Sequence, residues 1–152
     1  MEDLELSVSQ QFQARLERAE QALRALPAEQ VTAAAPAGQW SRKQELGHLL
    51  DSAQNNHQRI VLAVLNGSYQ GPNYAQNGWV DLHGYDELTW DELLLHWSLR
   101  NQLLGRVVAR IPAERWAAPV TIGSDPAMPL DAWILDYLQH LEHHVEHITG
   151  AI

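Results

Sequence analysis

Histidine is concentrated near the end of this chain, in the tract His140-Leu141-Glu142-His143-His144-Val145-Glu146-His147 of a sequence with eight histidines. On a helix, residues at i and i+4 are neighbours with Cβ atoms about 5–6 Å apart, so His140 and His144 face the same way and could each place a nitrogen on one metal ion at roughly 2 Å. His143 presents a different face and does not substitute for His144. The H-x-x-x-H spacing supplies two ligands, and a site needs at least a third. The chain has no cysteine, which excludes disulfides, thiolate zinc sites and a cysteine nucleophile and leaves nitrogen and oxygen as the donors. Gly-x-Ser-x-Gly, phosphate loops and dinucleotide fingerprints are absent as well.

The elements that must position these side chains are helices. Four helical segments stand out by periodicity and no run of alternating β-branched residues competes with them, so the expected architecture is all-α. The first covers roughly residues 9–26, with Phe12, Leu16, Ala19, Leu23 and Leu26 on one stripe and Pro27 ending it. In the second, Ser41 and Gln44 form a capping box in which each side chain satisfies the other's backbone N–H; it runs to about Leu65, where Asn66-Gly67 supplies a stop. The third has its own box, Thr89 with Glu92, and continues to Arg110 before Ile111-Pro112. The fourth follows Pro129 and Asp131 and ends at Gly150. The Ala-rich stretch 32–37 reads as a linker. The links 66–88 and 112–129 exceed the lengths usual between antiparallel bundle helices, which permits crossover connections and allows aromatic loop residues, Tyr74, Trp79, Tyr85 and Trp116, to wall a site.

Composition narrows the function classes. A length of 152 residues with 45% apolar content fits one domain spanning the chain. A formal charge of -9 with ten scattered basic residues argues against a nucleic-acid partner. The N-terminus Met1-Glu2-Asp3-Leu4-Glu5 is acidic without an apolar signal core, and no stretch approaches a membrane span, so a cytoplasmic protein without a membrane partner is expected.

Placed on a helical wheel at about 100° per residue, the fourth helix has a broad apolar arc of Ile134, Tyr137, Leu138, Leu141, Val145 and Ile148. His140 and His144 border it beside Trp133, His147 falls just beyond His140, and His143 turns toward solvent. Asp136, one turn before His140, is placed to orient its imidazole. The second helix buries Leu46, Leu49, Leu50, Ala53, Ile60, Val61 and Val64 and carries a polar stripe of His48, Asp51, Ser52, Asn55 and Arg59. Such a stripe is ordinarily a solvated face, and the alternative is the lining of an internal cleft. The histidine tract likewise reads either as ligands or as a solvated face at the negative end of the helix dipole, where imidazolium is favoured. His48 is the best candidate for a third ligand. His57 reads as packed or interfacial, and His83 and His96 as exposed or hydrogen-bonded.

Gln39-Trp40-Ser41-Arg42-Lys43-Gln44-Glu45-Leu46-Gly47-His48-Leu49-Leu50-Asp51-Ser52-Ala53-Gln54-Asn55-Asn56-His57 resembles the W-S-x-K-E-x-x-x-H-L-x-D-S-x-x-N signature of the DinB/YfiT-like family of metal-dependent enzymes. Asp136-Tyr137-Leu138-Gln139-His140-Leu141-Glu142-His143-His144 is similar to that family's second signature, D-Y-x-x-H-x-x-H-H, and Trp97, Asn101 and the Ile111-Pro112 break fit its third helix. The resemblance implies a four-helix bundle of unusual connectivity, often a homodimer. It also implies a divalent metal ion held by His48 from the second helix and His140 and His144 from the fourth. The polar stripe then lines a cleft, with Asp51 and Asn55 on its metal side.

Three imidazoles leave a tetrahedral ion one open position, the pattern of a catalytic site. Three histidines suit zinc, nickel, iron(II) or copper, with zinc and nickel foremost and iron compatible. The resemblance implies the activity of a metal-dependent enzyme, a thiol S-transferase or a hydrolase, that activates a thiol or water nucleophile. Asp51 or Asn55 would orient the nucleophile, and the 66–88 link would select a small-molecule substrate. The alternative is a non-catalytic metal- or ligand-binding bundle or a dimerisation module.

Overall fold

In the computed structural model, which describes residues 6–150, helix starts and stops follow local capping chemistry; the acidic stretch 1–5 lies outside the described residues. Helix α1, Val8–Arg24, begins at a capping box between Ser7 and Gln10. Helix α3, Arg42–Asn66, begins at the Ser41–Gln44 box and stops where Gly67 takes φ 81°, a left-handed conformation that costs glycine little. Helix α5, Trp90–Val108, begins at the Thr89–Glu92 box, and α6, Leu130–Thr149, ends at Gly150. These are the four expected helices, with ends moved by one or two residues.

The links carry more structure than the sequence suggests. After Pro27 comes a short helix α2, Ala28–Thr32, anchored by buried Val31. The 66–88 link contains strand β1, Tyr69–Gly71, and helix α4, Gln76–His83. The 112–129 link contains β2, Pro119–Ile122, and β3, Met128–Pro129. β1 pairs in parallel with β2, Tyr69 opposite Val120, and β2 pairs antiparallel with β3. Segments of two to eight residues are too short to display a period, and the sheet exists because two distant links satisfy each other's backbone groups.

The four long helices form a ring. α1 packs on α5 and α6, and α3 packs on the same two, so α1 stands diagonally across from α3 and α5 from α6. The diagonal step from α1 to α3 is made by residues 25–41 and that from α5 to α6 by residues 109–129, whereas the 66–88 link joins the neighbours α3 and α5. α3 and α6 run antiparallel, because Glu45 early in α3 meets His144 and His147 late in α6, while Asn56 further along α3 meets Trp133 early in α6. Phe12, Leu23, Leu46, Ile60, Leu93, Trp97, Leu104, Ile134 and Leu138 are fully buried between the helices, each contributing roughly 1.5–3 kcal/mol by leaving water. Among the described residues no helix is long and apolar enough to cross a membrane.

Candidate metal centre

The α3–α6 seam brings His48, His140 and His144 together. The Nε2 atoms of His48 and His140 lie 3.4 Å apart, and those of His140 and His144 3.2 Å apart. One nitrogen from each of the three falls within 4.8 Å of the others. The His140 ring stands at 78° to that of His48 and 71° to that of His144, so the rings converge by their nitrogens rather than stack. Nitrogens held about 2.0–2.1 Å from a tetrahedral ion stand roughly 3.3 Å apart. The two Nε2 separations that involve His140 match that edge, and three imidazoles are a donor set that suits a divalent ion.

Electrostatics keep the lone pairs available. His48 is 1% exposed and packs under Trp40, with ring centroids 4.8 Å apart. Burial, reinforced by His144 and His140, pushes its pKa down to about 4. Burial also lowers the pKa of His140. Both rings are therefore neutral near pH 7, the state a metal requires.

Glu45, which the sequence reasoning did not single out, contacts the cluster. It sits one turn before His48 on α3 and is 5% exposed. Its Oε1 lies 2.9 Å from Nδ1 of His144, and its Oε2 lies 2.8 Å from Nδ1 of His147. Burial pushes the Glu45 carboxyl up, but the two histidine contacts outweigh it and leave its pKa below the usual carboxylate value. A carboxylate can only accept, so Nδ1 of His144 carries the proton and its Nε2 carries the lone pair that faces His140. The available signal was an acidic residue three positions before a candidate ligand, on the same helical side.

Other expected residues fall in different places. Asp136, expected to orient His140, is exposed and forms no hydrogen bond to it; the carboxylate that meets a ring of the cluster is Glu45, which reaches across from α3 to His144 rather than to His140. His147 joins Glu45 rather than the three-ring cluster. His143 is exposed. His57 is partly buried with Nδ1 unpartnered, His96 is exposed, and Nδ1 of His83 lies 3.1 Å from Asp51 Oδ1. Asp51 is buried and also accepts from Tyr85 Oη at 2.5 Å. Burial raises the pKa of Asp51, and the Tyr85 and His83 contacts offset only part of that rise. Tyr85 reaches Asp51 because its ring lies flush against Gly47, where any Cβ would overlap it.

A cleft of about 420 Å³ borders the cluster at His140. Ser52, Asn56 and Arg59 line it from α3, Trp133 and Asp136 from α6, and Tyr74 from the 66–88 link. The polar stripe of α3 is thus interior, covered by α6, and is not a solvated face. Asn55 is not part of the lining: its amide donates to the Asp51 carbonyl, and Asn56, one position on, occupies the cleft and accepts from the Trp133 indole at 3.0 Å. Trp116 lies away from this cleft, near Val8 and Asp131.

The sequence model of the DinB superfamily matches residues 11–148. The chain belongs to the DinB superfamily. Among solved structures, this DinB-superfamily chain is similar to YfiT from Bacillus subtilis, described as "a probable metal-dependent hydrolase with an unusual four-helix bundle topology". The TM-score is 0.78 at 18% identity, over 94% of this chain and 82% of YfiT. It is also similar to the mycothiol-dependent maleylpyruvate isomerase, with a TM-score of 0.75 at 11% identity over 94% of this chain, and to a mutant of that enzyme with a TM-score of 0.74 at 12% identity. This chain spans 61% of the isomerase's length. At these identities the likeness is one of fold, the ring of four helices with crossed connections. No curated protein matches the sequence.

Proposed function

We propose that this chain is a metal-dependent enzyme in which His48, His140 and His144 hold a divalent ion, zinc or nickel foremost and iron compatible. The observation that carries this reading is the pair of Nε2 separations, 3.4 and 3.2 Å, at the edge length of a tetrahedral ion's ligand shell. Such an ion supplies Lewis acidity that favours the ionised form of a water or thiol nucleophile. The chain's own residues do the rest. Glu45 fixes the tautomer and orientation of His144. Asp51, with its pKa raised by burial and its Oδ2 without a partner, serves as the proton acceptor. Asn56 replaces Asn55 as the amide on the cleft wall, and the 66–88 link contributes Tyr74 to substrate selection.

A low-molecular-weight thiol is the proposed co-substrate, a reading supported by the mycothiol dependence of the isomerase with the same fold. A hydrolytic reaction on water is the sister possibility, supported by the description of YfiT. A homodimer is proposed through α5, where Leu95, Leu99 and Leu103 form an exposed stripe at helical spacing.

The test is elemental analysis of protein purified without a histidine tag, alongside His48→Ala and His144→Ala. About one ion per wild-type chain and little in either variant is expected. Negligible metal after reconstitution would discard the metalloenzyme reading in favour of a non-catalytic ligand-binding bundle.

A further inference from the structure

Arg59 carries a buried charge with no countercharge. It is 7% exposed, and no ion pair among the described residues includes it. Of its five N–H donors one is engaged, Nη2 to the Pro72 carbonyl at 3.2 Å. Its guanidinium carbon lies 5.8 Å from the ring centroids of both Tyr74 and Trp133. Burial lowers its pKa, and the nearby Tyr69 and Tyr74 oppose that shift. Buried charges are as a rule paired, because removal from water costs several kcal/mol per ion. Aromatic contacts return only about 0.5–2 kcal/mol. A strut between α3 and the 66–88 link would need only the Pro72 contact. Arg59 instead borders the 420 Å³ cleft that ends at His140.

We propose that Arg59 binds a carboxylate group of the substrate, at the end of the cleft away from His140. Trp133, whose ring the guanidinium lies over, is seven residues from His140 on α6, two turns or roughly 10 Å along the axis. The substrate therefore carries its anion about that far from the atom that reacts. A planar fork between two aromatic rings suits a planar, singly charged oxyanion, which it can meet with two parallel hydrogen bonds. A phosphate dianion suits it poorly, because the other formally charged residue lining the cleft is Asp136, which repels it. The assignment of this anion to the substrate rests on the proposed metal-dependent reaction; the anion site itself does not.

The experiment is a titration of wild type, Arg59→Met and Arg59→Lys with benzoate, neutral benzamide and inorganic phosphate, in metal-free and zinc-treated protein. The Trp133 indole N–H resonance, which reports the contact to Asn56, is the readout. Benzoate should shift it saturably in wild type whether or not zinc is present, and benzamide should not. Arg59→Met should weaken benzoate binding about 10- to 100-fold, with Arg59→Lys between the two. Absence of a saturable benzoate shift in wild type would overturn the proposal without reliance on any variant. So would unchanged benzoate binding in Arg59→Met, or tighter binding of phosphate than of benzoate. Benzoate binding in a protein that takes up no zinc would sink the metal-centre reading and leave this site standing; the reverse pattern would sink this site alone.

Discussion

Glu45 and His144, 99 residues apart in sequence, meet with Oε1 and Nδ1 separated by 2.9 Å, and this contact ties the first turn of α3 to the last turns of α6. The carboxylate fixes which nitrogen of His144 carries the proton and leaves the lone pair on the other. Replacing Glu45 with Gln keeps the shape but removes the charge, and an amide can donate to Nδ1 and so favour the wrong tautomer. Metal affinity in Glu45→Gln should fall about 10- to 100-fold with the stoichiometry preserved at saturation. Competition against a chromophoric chelator measures this; an affinity equal to wild type would remove Glu45 from the site.

The buried histidine makes the metal-free protein sensitive to acid. Burial, together with His144 and His140, lowers the His48 pKa from 6.5 to about 4. Between those values the unfolded chain binds the proton and the folded chain does not, so stability is full above pH 6.5 and is lost as pH falls toward 4. The loss is on the order of 3 kcal/mol. Glu45, whose folded pKa lies below its usual 4.5, contributes stability that is lost at lower pH still. Urea unfolding of metal-free protein at stepped pH should show the decline over 6.5 to 4, and His48→Gln should flatten that window. An equal slope in the variant would contradict the assignment.

Tyr85 tunes Asp51. Its hydroxyl donates to Oδ1 at 2.5 Å and lowers the carboxyl pKa against the larger raising effect of burial. Tyr85→Phe should therefore move the Asp51 titration to higher pH, read directly by carboxyl carbon NMR. If Asp51 is the proton acceptor, the limb of the pH–rate profile that it controls moves the same way. A titration that stays in place or moves to lower pH would show that the hydroxyl does not support the carboxylate.

Gly47 tests the close approach of Tyr85 to α3. In an open helix, Gly→Ala stabilises by about 1 kcal/mol. Here the added Cβ would overlap the Tyr85 ring, and overpacking of this kind costs about 1–3 kcal/mol. Gly47→Ala should be less stable than wild type in chemical denaturation and should weaken the Tyr85–Asp51 contact. A more stable variant would mean that the ring moves aside at little cost.

What was legible in the sequence was local. Ser41 with Gln44 and Thr89 with Glu92 start helices because side chain and backbone three residues apart satisfy each other, and Gly67 and Gly150 stop them because the left-handed turn needs no distant partner. The shared face of His140 and His144 follows from helical spacing alone. His48 was the best candidate for a third ligand from the residues, but reading its stripe as a cleft and not a solvated face took the family resemblance, since nothing in the spacing of α3 says which face α6 will cover.

Tertiary structure decided the rest. Once α6 lay antiparallel on α3, Ser52, Asn56 and Arg59 became the lining of a cleft, Asn55 stayed off it, and Glu45 met His144 across the seam while Asp136 formed no hydrogen bond to His140. The parallel pairing of β1 with β2 was likewise invisible, because two short segments in separate links form a sheet only when the helices bring them together. Periodicity and capping are short-range effects written into neighbouring residues. Which polar groups share an interior depends on pairwise contacts between distant residues, and those are chosen by the packing of the whole bundle.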